Sequence, residues 1–155
     1  MTFKEPVRRV DQSAIKVNQA FIAGLLLEAC FLNSLALVAF VALVMLAGAV
    51  SPDLALFRII YRDGLRPARL MKARIVIDNP EPYRFAQGLD GVVIALGLAA
   101  LMTAHATLGW TLVLSVAVMA ALSLRLEFRA GCFLYYQLNR LGIPGFRHSP
   151  IRMAR

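Results

Sequence analysis

The sequence predicts an all-α fold: an integral membrane four-helix bundle, built as two helical hairpins, with an interfacial amphipathic helix in the central loop. Three observations carry that expectation. The chain has 155 residues, of which 59% are hydrophobic. Its mean hydropathy is +0.67, more apolar surface than a soluble domain of this size can hide. Its 17 lysines and arginines are confined to segments 1–16, 58–84 and 125–155, and none falls in 17–57 or 85–124. Apolar stretches of that length, bounded by basic segments, read as membrane spans with the basic segments in the cytoplasm.

The first 16 residues are mostly polar and include Lys4, Arg8, Arg9 and Lys16. The apolar run after Lys16 is too long for a secretory signal, so the first helix is expected to stay as an anchor. From Val17 to Val50 the polar residues are Asn18, Gln19, Glu28, Asn33 and Ser34. As one helix that stretch would reach about 51 Å, against a hydrocarbon core of about 30 Å. A break at Leu32–Asn33–Ser34 divides it. Span one then runs over about 13–31, with Ser13 as N-cap, and span two over 34–50. A single crossing would put Arg58, Arg62, Arg66, Arg69, Lys72 and Arg74 outside, against the positive-inside rule. The hairpin returns them to the cytoplasm.

Residues 51–83 form the cytoplasmic loop. Ser51-Pro52-Asp53 is a helix-start pattern. Leu54, Phe57, Ile60 and Tyr61 then share one face, flanked by Arg58 and Arg62, as in a helix lying in the membrane interface. Gly64 is expected to end it. Arg66 to Arg74 reads as a basic loop, with Leu70-Met71 dipping toward lipid. Asp78-Asn79-Pro80-Glu81-Pro82 reads as a rigid, non-helical approach to span three.

Spans three and four cover about 84–105 and 109–125, with 105–109 as the outer turn. Trp110 falls where an outer aromatic-belt residue belongs. Gly88, Gly91, Ala95 and Ala99 on span three, and Ala117 and Ala121 on span four, let backbones approach. They serve packing within the bundle or an interface with a partner. Residues 126–155 are a cytoplasmic tail, so the chain reads as one membrane domain with both termini inside.

Polar groups within spans are costly and mark candidate sites. Asn18 and Gln19 lie near the inner end of span one. Gln87 and Asp90 lie one to two turns into span three, on one face. With Arg84 they are placed to meet at the inner mouth of the bundle. That meeting makes either a structural polar network or a proton, ion or headgroup site. Glu28 lies nearer the outer end of span one. It is either a protonated carboxyl bonded to Asn33 or Ser34, or a transport carboxylate. Cys132, near Arg129, is the candidate reactive thiol, and Cys30 lies at the other side of the membrane. The two histidines fall on opposite sides, no CxxC is present, and no cofactor or metal is expected. A net charge of +8 raises nucleic acid in a soluble protein. Here the basic residues flank spans and meet anionic lipid headgroups.

Three groups of residues combine into a resemblance. They are Val10-Asp11-Gln12 with Val17-Asn18-Gln19, Asp78-Asn79-Pro80 leading to Arg84-Phe85-Ala86-Gln87-Gly88, and Gly131-Cys132-Phe133-Leu134-Tyr135. Their order and spacing, over residues 8–142, resemble an uncharacterised bacterial integral-membrane family, the domain of unknown function 4395. In that family the last group usually reads Cys-x-Gly-Cys. Its second cysteine matches Cys132, and its first falls at Arg129. The resemblance implies thiol redox chemistry, but a single thiol cannot complete an internal two-electron cycle.

Three functions follow as expectations. The first is a multi-pass inner-membrane accessory or scaffold subunit, binding anionic lipid, a membrane protein or a second copy at its cytoplasmic face. The second is a redox partner protein using Cys132 with an external thiol. The third is a small transporter using Glu28 or Asp90. No catalytic constellation argues for an enzyme.

Overall fold

The computed structural model describes residues 9–51, 56–65, 67, 74–77, 81–126 and 130–142. These form strand β1 (Arg9–Asp11), helices α1 (Gln12–Phe31), α2 (Leu35–Val50) and α3 (Leu56–Ile60), strand β2 (Ile75–Ile77), and helices α4 (Glu81–Met102), α5 (Ala106–Leu126) and α6 (Ala130–Arg140). A π-helical turn, Tyr61–Leu65, continues α3. The protein is helical, as expected, and α1, α4 and α5 are long and apolar enough to cross a membrane.

The first hairpin turns where the sequence places its break. Asn33 takes a left-handed φ of 48°, a conformation asparagine tolerates well. Ser34 caps α2, its Oγ accepting from Leu37 N at 3.4 Å. The cap of α1 differs from expectation. Asp11 holds that position, accepting from Ser13 N at 3.0 Å and Ala14 N at 3.4 Å. A carboxylate beside the positive end of a helix is the better cap. Ser13 lies inside α1, and its Oγ accepts from Arg74 N at 3.2 Å.

Further boundaries move. Ser51 closes α2, its N–H donating to Ala47 O at 3.0 Å. Residues 52–55, and with them the expected helix start, lie outside the described residues, as do Leu70-Met71 and Asp78-Asn79-Pro80. Gly64 lies within the π-helical turn. Glu81 and Pro82 are helical, because proline in a first helical turn gives up an N–H that has no intrahelical partner there. The second outer turn comes earlier than 105–109, at Thr103–His105, with Ala104 at a φ of 63°.

Helix α1 packs on α2, α3 and α5; α4 packs on α2, α5 and α6. Ile22, Leu26, Val38, Val41, Met45, Ile94 and Val113 are fully buried at the centre. Trp110 is half-buried against this core. Close approach uses glycine. A Cβ on Gly91 would stand 3.0 Å from Leu46 Cγ and 3.2 Å from its backbone N. Gly97 and Gly109 bring α4 and α5 together: a Cβ on Gly109 would stand 2.8 Å from Gly97 O. The stripe read from sequence is therefore partly right, since Gly88 and Gly91 face α2 and Ala117 is buried, while Ala99 and Ala121 are exposed.

An unexpected ribbon joins the two halves. β1 pairs antiparallel with β2, Val10 opposite Val76, and Gln12 N continues the pairing to Arg74 O at 2.9 Å. β1 runs straight into α1 and β2 precedes α4, so both helices start at the same end of the molecule. Helix α3 packs on α1 through Phe57, stacked on Phe21 with centroids 5.2 Å apart. Phe57 and Tyr61 are buried, whereas Ile60, expected on their face, is exposed.

Candidate functional site

The last carbonyls of a helix have no intrahelical donors. At the end of α2 they are satisfied from another helix. Arg84, in the first turn of α4, donates from Nε and Nη2 to Ala49 O at 3.2 and 3.0 Å, and from Nη2 to Val50 O at 2.7 Å. A cation there also complements the negative end of the α2 dipole. One turn earlier on α4, Glu81 Oε2 accepts from the Tyr135 hydroxyl of α6 at 3.1 Å. Tyr135 is buried and meets the ring of Phe85 edge-on at 5.8 Å. These contacts build a groove between α2, α4 and α6.

The groove is open and encloses about 620 Å³. Its polar residues are Glu81 and Arg84; its walls are Leu46, Ala49, Val50, Phe85, Gly88, Leu89, Val92 and Tyr135. Gly88 keeps it narrow, since a Cβ there would come within 3.3 Å of Ala49 Cβ. The groove has the chemistry of recognition: one acid and one guanidinium three residues apart, beside an apolar wall.

Asn18, Gln19 and Gln87 are all buried. Each lies six or seven residues past the start of its helix, so all three occupy one layer about 10 Å in from the same end. Among the described residues the Gln87 Nε2 has no hydrogen-bond partner. Asp90 is half-buried one turn further on. Arg84 does not turn inward to complete this group, because its donors are drawn to the α2 carbonyls. Glu28 is exposed near the other end of α1, apart from the rest. Cys30, a free half-buried thiol, shares that end. Cys132 belongs to the first turn of α6, at the ribbon end; its side chain, and Arg129 altogether, lie outside the described residues. No three His, Cys, Asp or Glu side chains converge as metal ligands among the described residues.

Of the groove, sequence reasoning found Arg84 and missed Glu81, Phe85 and Tyr135 as site residues. The signal for Glu81 was present: an acid next to proline also opens helices.

The family model described as a domain of unknown function (DUF4395) matches residues 10–140. Neither a curated protein nor a solved structure matches the chain.

Proposed function

This chain belongs to the DUF4395 family, and from that premise we propose that it is a multi-pass inner-membrane protein serving as a small accessory or scaffold subunit. In this reading α1, α2, α4 and α5 form one membrane domain, a four-helix bundle of two hairpins. The ribbon end faces the cytoplasm and binds anionic lipid or a partner protein. One observation carries it: basic residues gather at the ribbon end, with Arg9 in β1, Arg74 bonded through its carbonyl to Gln12, Lys16 in the second turn of α1, Arg84 in the first turn of α4 and Arg125 in the last turn of α5. The opposite end holds the two tight turns at 32–34 and 103–105, which contain no lysine or arginine.

Surface chemistry supports the same reading. Leu43, Leu96, Val118 and Met119 point outward from the helices, between 49% and 69% exposed. Hydroxyls among them are satisfied by their own helices: Thr111 Oγ1 donates to Thr107 O and Ser123 Oγ to Met119 O, as a lipid environment requires. α2 has 16 residues, about 24 Å against about 30 Å of hydrocarbon, and local thinning absorbs the difference. Phe57 on α3 and Tyr61 in the turn that continues it are buried, while Leu56 and Ile60 are exposed beside Arg58. That is the disposition of an interfacial helix.

The test is to extract the full chain in native polymer discs and identify what accompanies it. Anionic lipid enriched over the bulk membrane, or one stoichiometric polypeptide, is expected. Either is lost in the triple variant Arg62→Gln, Arg74→Gln, Arg140→Gln, whose sites are exposed. Material identical between wild type and variant sinks the proposal.

A further inference from the structure

The groove between α2, α4 and α6 changes character along its length. Glu81 and Arg84 stand at the start of α4, and Leu89 and Val92 follow along the same helix. From Arg84 to Val92 is about 12 Å at 1.5 Å per residue. That polarity gradient is that of a membrane lipid with its headgroup at the ribbon end.

The charges select which lipid. Glu81 and Arg84 are three apart on α4, so they are neighbours on its surface. The three bonds Arg84 makes to Ala49 and Val50 use Nε and Nη2, and a guanidinium has two further N–H groups on Nη1. We infer that the groove binds one phosphatidylethanolamine, its phosphate on Arg84 Nη1, its primary ammonium on the Glu81 carboxylate and an acyl chain along Leu46, Leu89 and Val92. A phosphatidylglycerol sets the same phosphate on Arg84 but offers the Glu81 carboxylate only neutral hydroxyls in place of an ammonium. A phosphatidylcholine has a cation without an N–H donor. Both protein charges are held in place beforehand, Arg84 by α2 and Glu81 by Tyr135, which lowers the ordering cost of binding. The inference rests on the membrane reading above, with the ribbon end at the cytoplasmic interface.

Native mass spectrometry of the full chain in detergent tests it, with the three lipids added at equal concentration and matched acyl chains. A charge-assisted hydrogen bond is worth about tenfold in affinity. Phosphatidylethanolamine is therefore expected to bind about tenfold more tightly than either other lipid. Glu81→Gln, which keeps an acceptor for Tyr135, brings it level with phosphatidylcholine. Leu89→Trp, which fills the apolar part, weakens all three together. Equal binding of phosphatidylcholine by the wild type, a preference for phosphatidylglycerol, or a Glu81→Gln or Leu89→Trp variant that binds like wild type overturns the assignment. Alkaline carbonate washing of membranes separates the two failures. Release of the chain removes the membrane reading and the site with it; retention without an ethanolamine preference removes the site alone.

Discussion

At Ala104 the backbone sits at a φ of 63°, where a side chain bearing Cβ is strained by about 1 kcal/mol or more and glycine is not. Ala104→Gly is accordingly expected to raise stability by about 1 kcal/mol, read as a higher unfolding temperature in detergent. Asp63 is exposed and bonded by Arg62 Nε at 2.8 Å, and that hydrogen bond holds its carboxyl below the ordinary aspartate value. A lowered carboxyl favours the folded state above its ordinary value and loses that contribution as pH falls through the lowered one. Both groups are in water, so the contribution to stability is small. The measurable effect is the midpoint itself: an NMR titration is expected to move it upward on Arg62→Gln, and an unmoved midpoint refutes the cause. Arg84 shows why the site was only half legible. Its charge at the edge of an apolar stretch is visible in the sequence. Its partners are backbone carbonyls, which every residue carries, so nothing in the side-chain pattern marks Ala49 and Val50.

Among the elements, the contact between α4 and α5 depends on Gly97 and Gly109. Gly109→Ala would place Cβ 2.5 Å from Leu101 Cγ and 2.8 Å from Gly97 O. The carbonyl cannot step aside without moving the helix, so about 1–3 kcal/mol is lost. Gly24→Ala, with nothing within 4 Å of its Cβ, is expected to be stabilising by about 0.5–1 kcal/mol through helix propensity alone. Thermal unfolding of the two variants side by side checks both signs. The long helices were readable because hydrophobic length is a strong signal, and their ends fell within a few residues. The glycine pair was not, because Gly97 and Gly109 belong to different helices and no spacing within either reveals the meeting. The strands were not readable either: three residues are too few for an alternating pattern to register.

For the whole molecule, the placement of basic residues predicts sidedness. With a membrane-impermeant maleimide on intact cells, Asn33→Cys and Thr103→Cys are expected to label, each in a background lacking the native thiols. Arg140→Cys is expected to label only after permeabilisation. Labelling of Arg140→Cys in intact cells contradicts the orientation. This prediction joins sequence and structure at their firmest point, since the charge map is read from residues alone and the common end is read from the ribbon. The groove was far less legible, because it is assembled from three helices that are distant in sequence.

The ribbon also sets an order of events. β1 leaves synthesis before α1, and its partner β2 follows more than sixty residues later. The first hairpin can therefore form while β1 waits unpaired. Only when Ile75 to Ile77 emerge can the pairing of Val10 with Val76 close, and the second hairpin begins at once behind it. The three paired residues thus act as a latch on assembly, joining a finished half to one about to be made. A chain with this latch weakened is expected to make both hairpins and fail to bring them together.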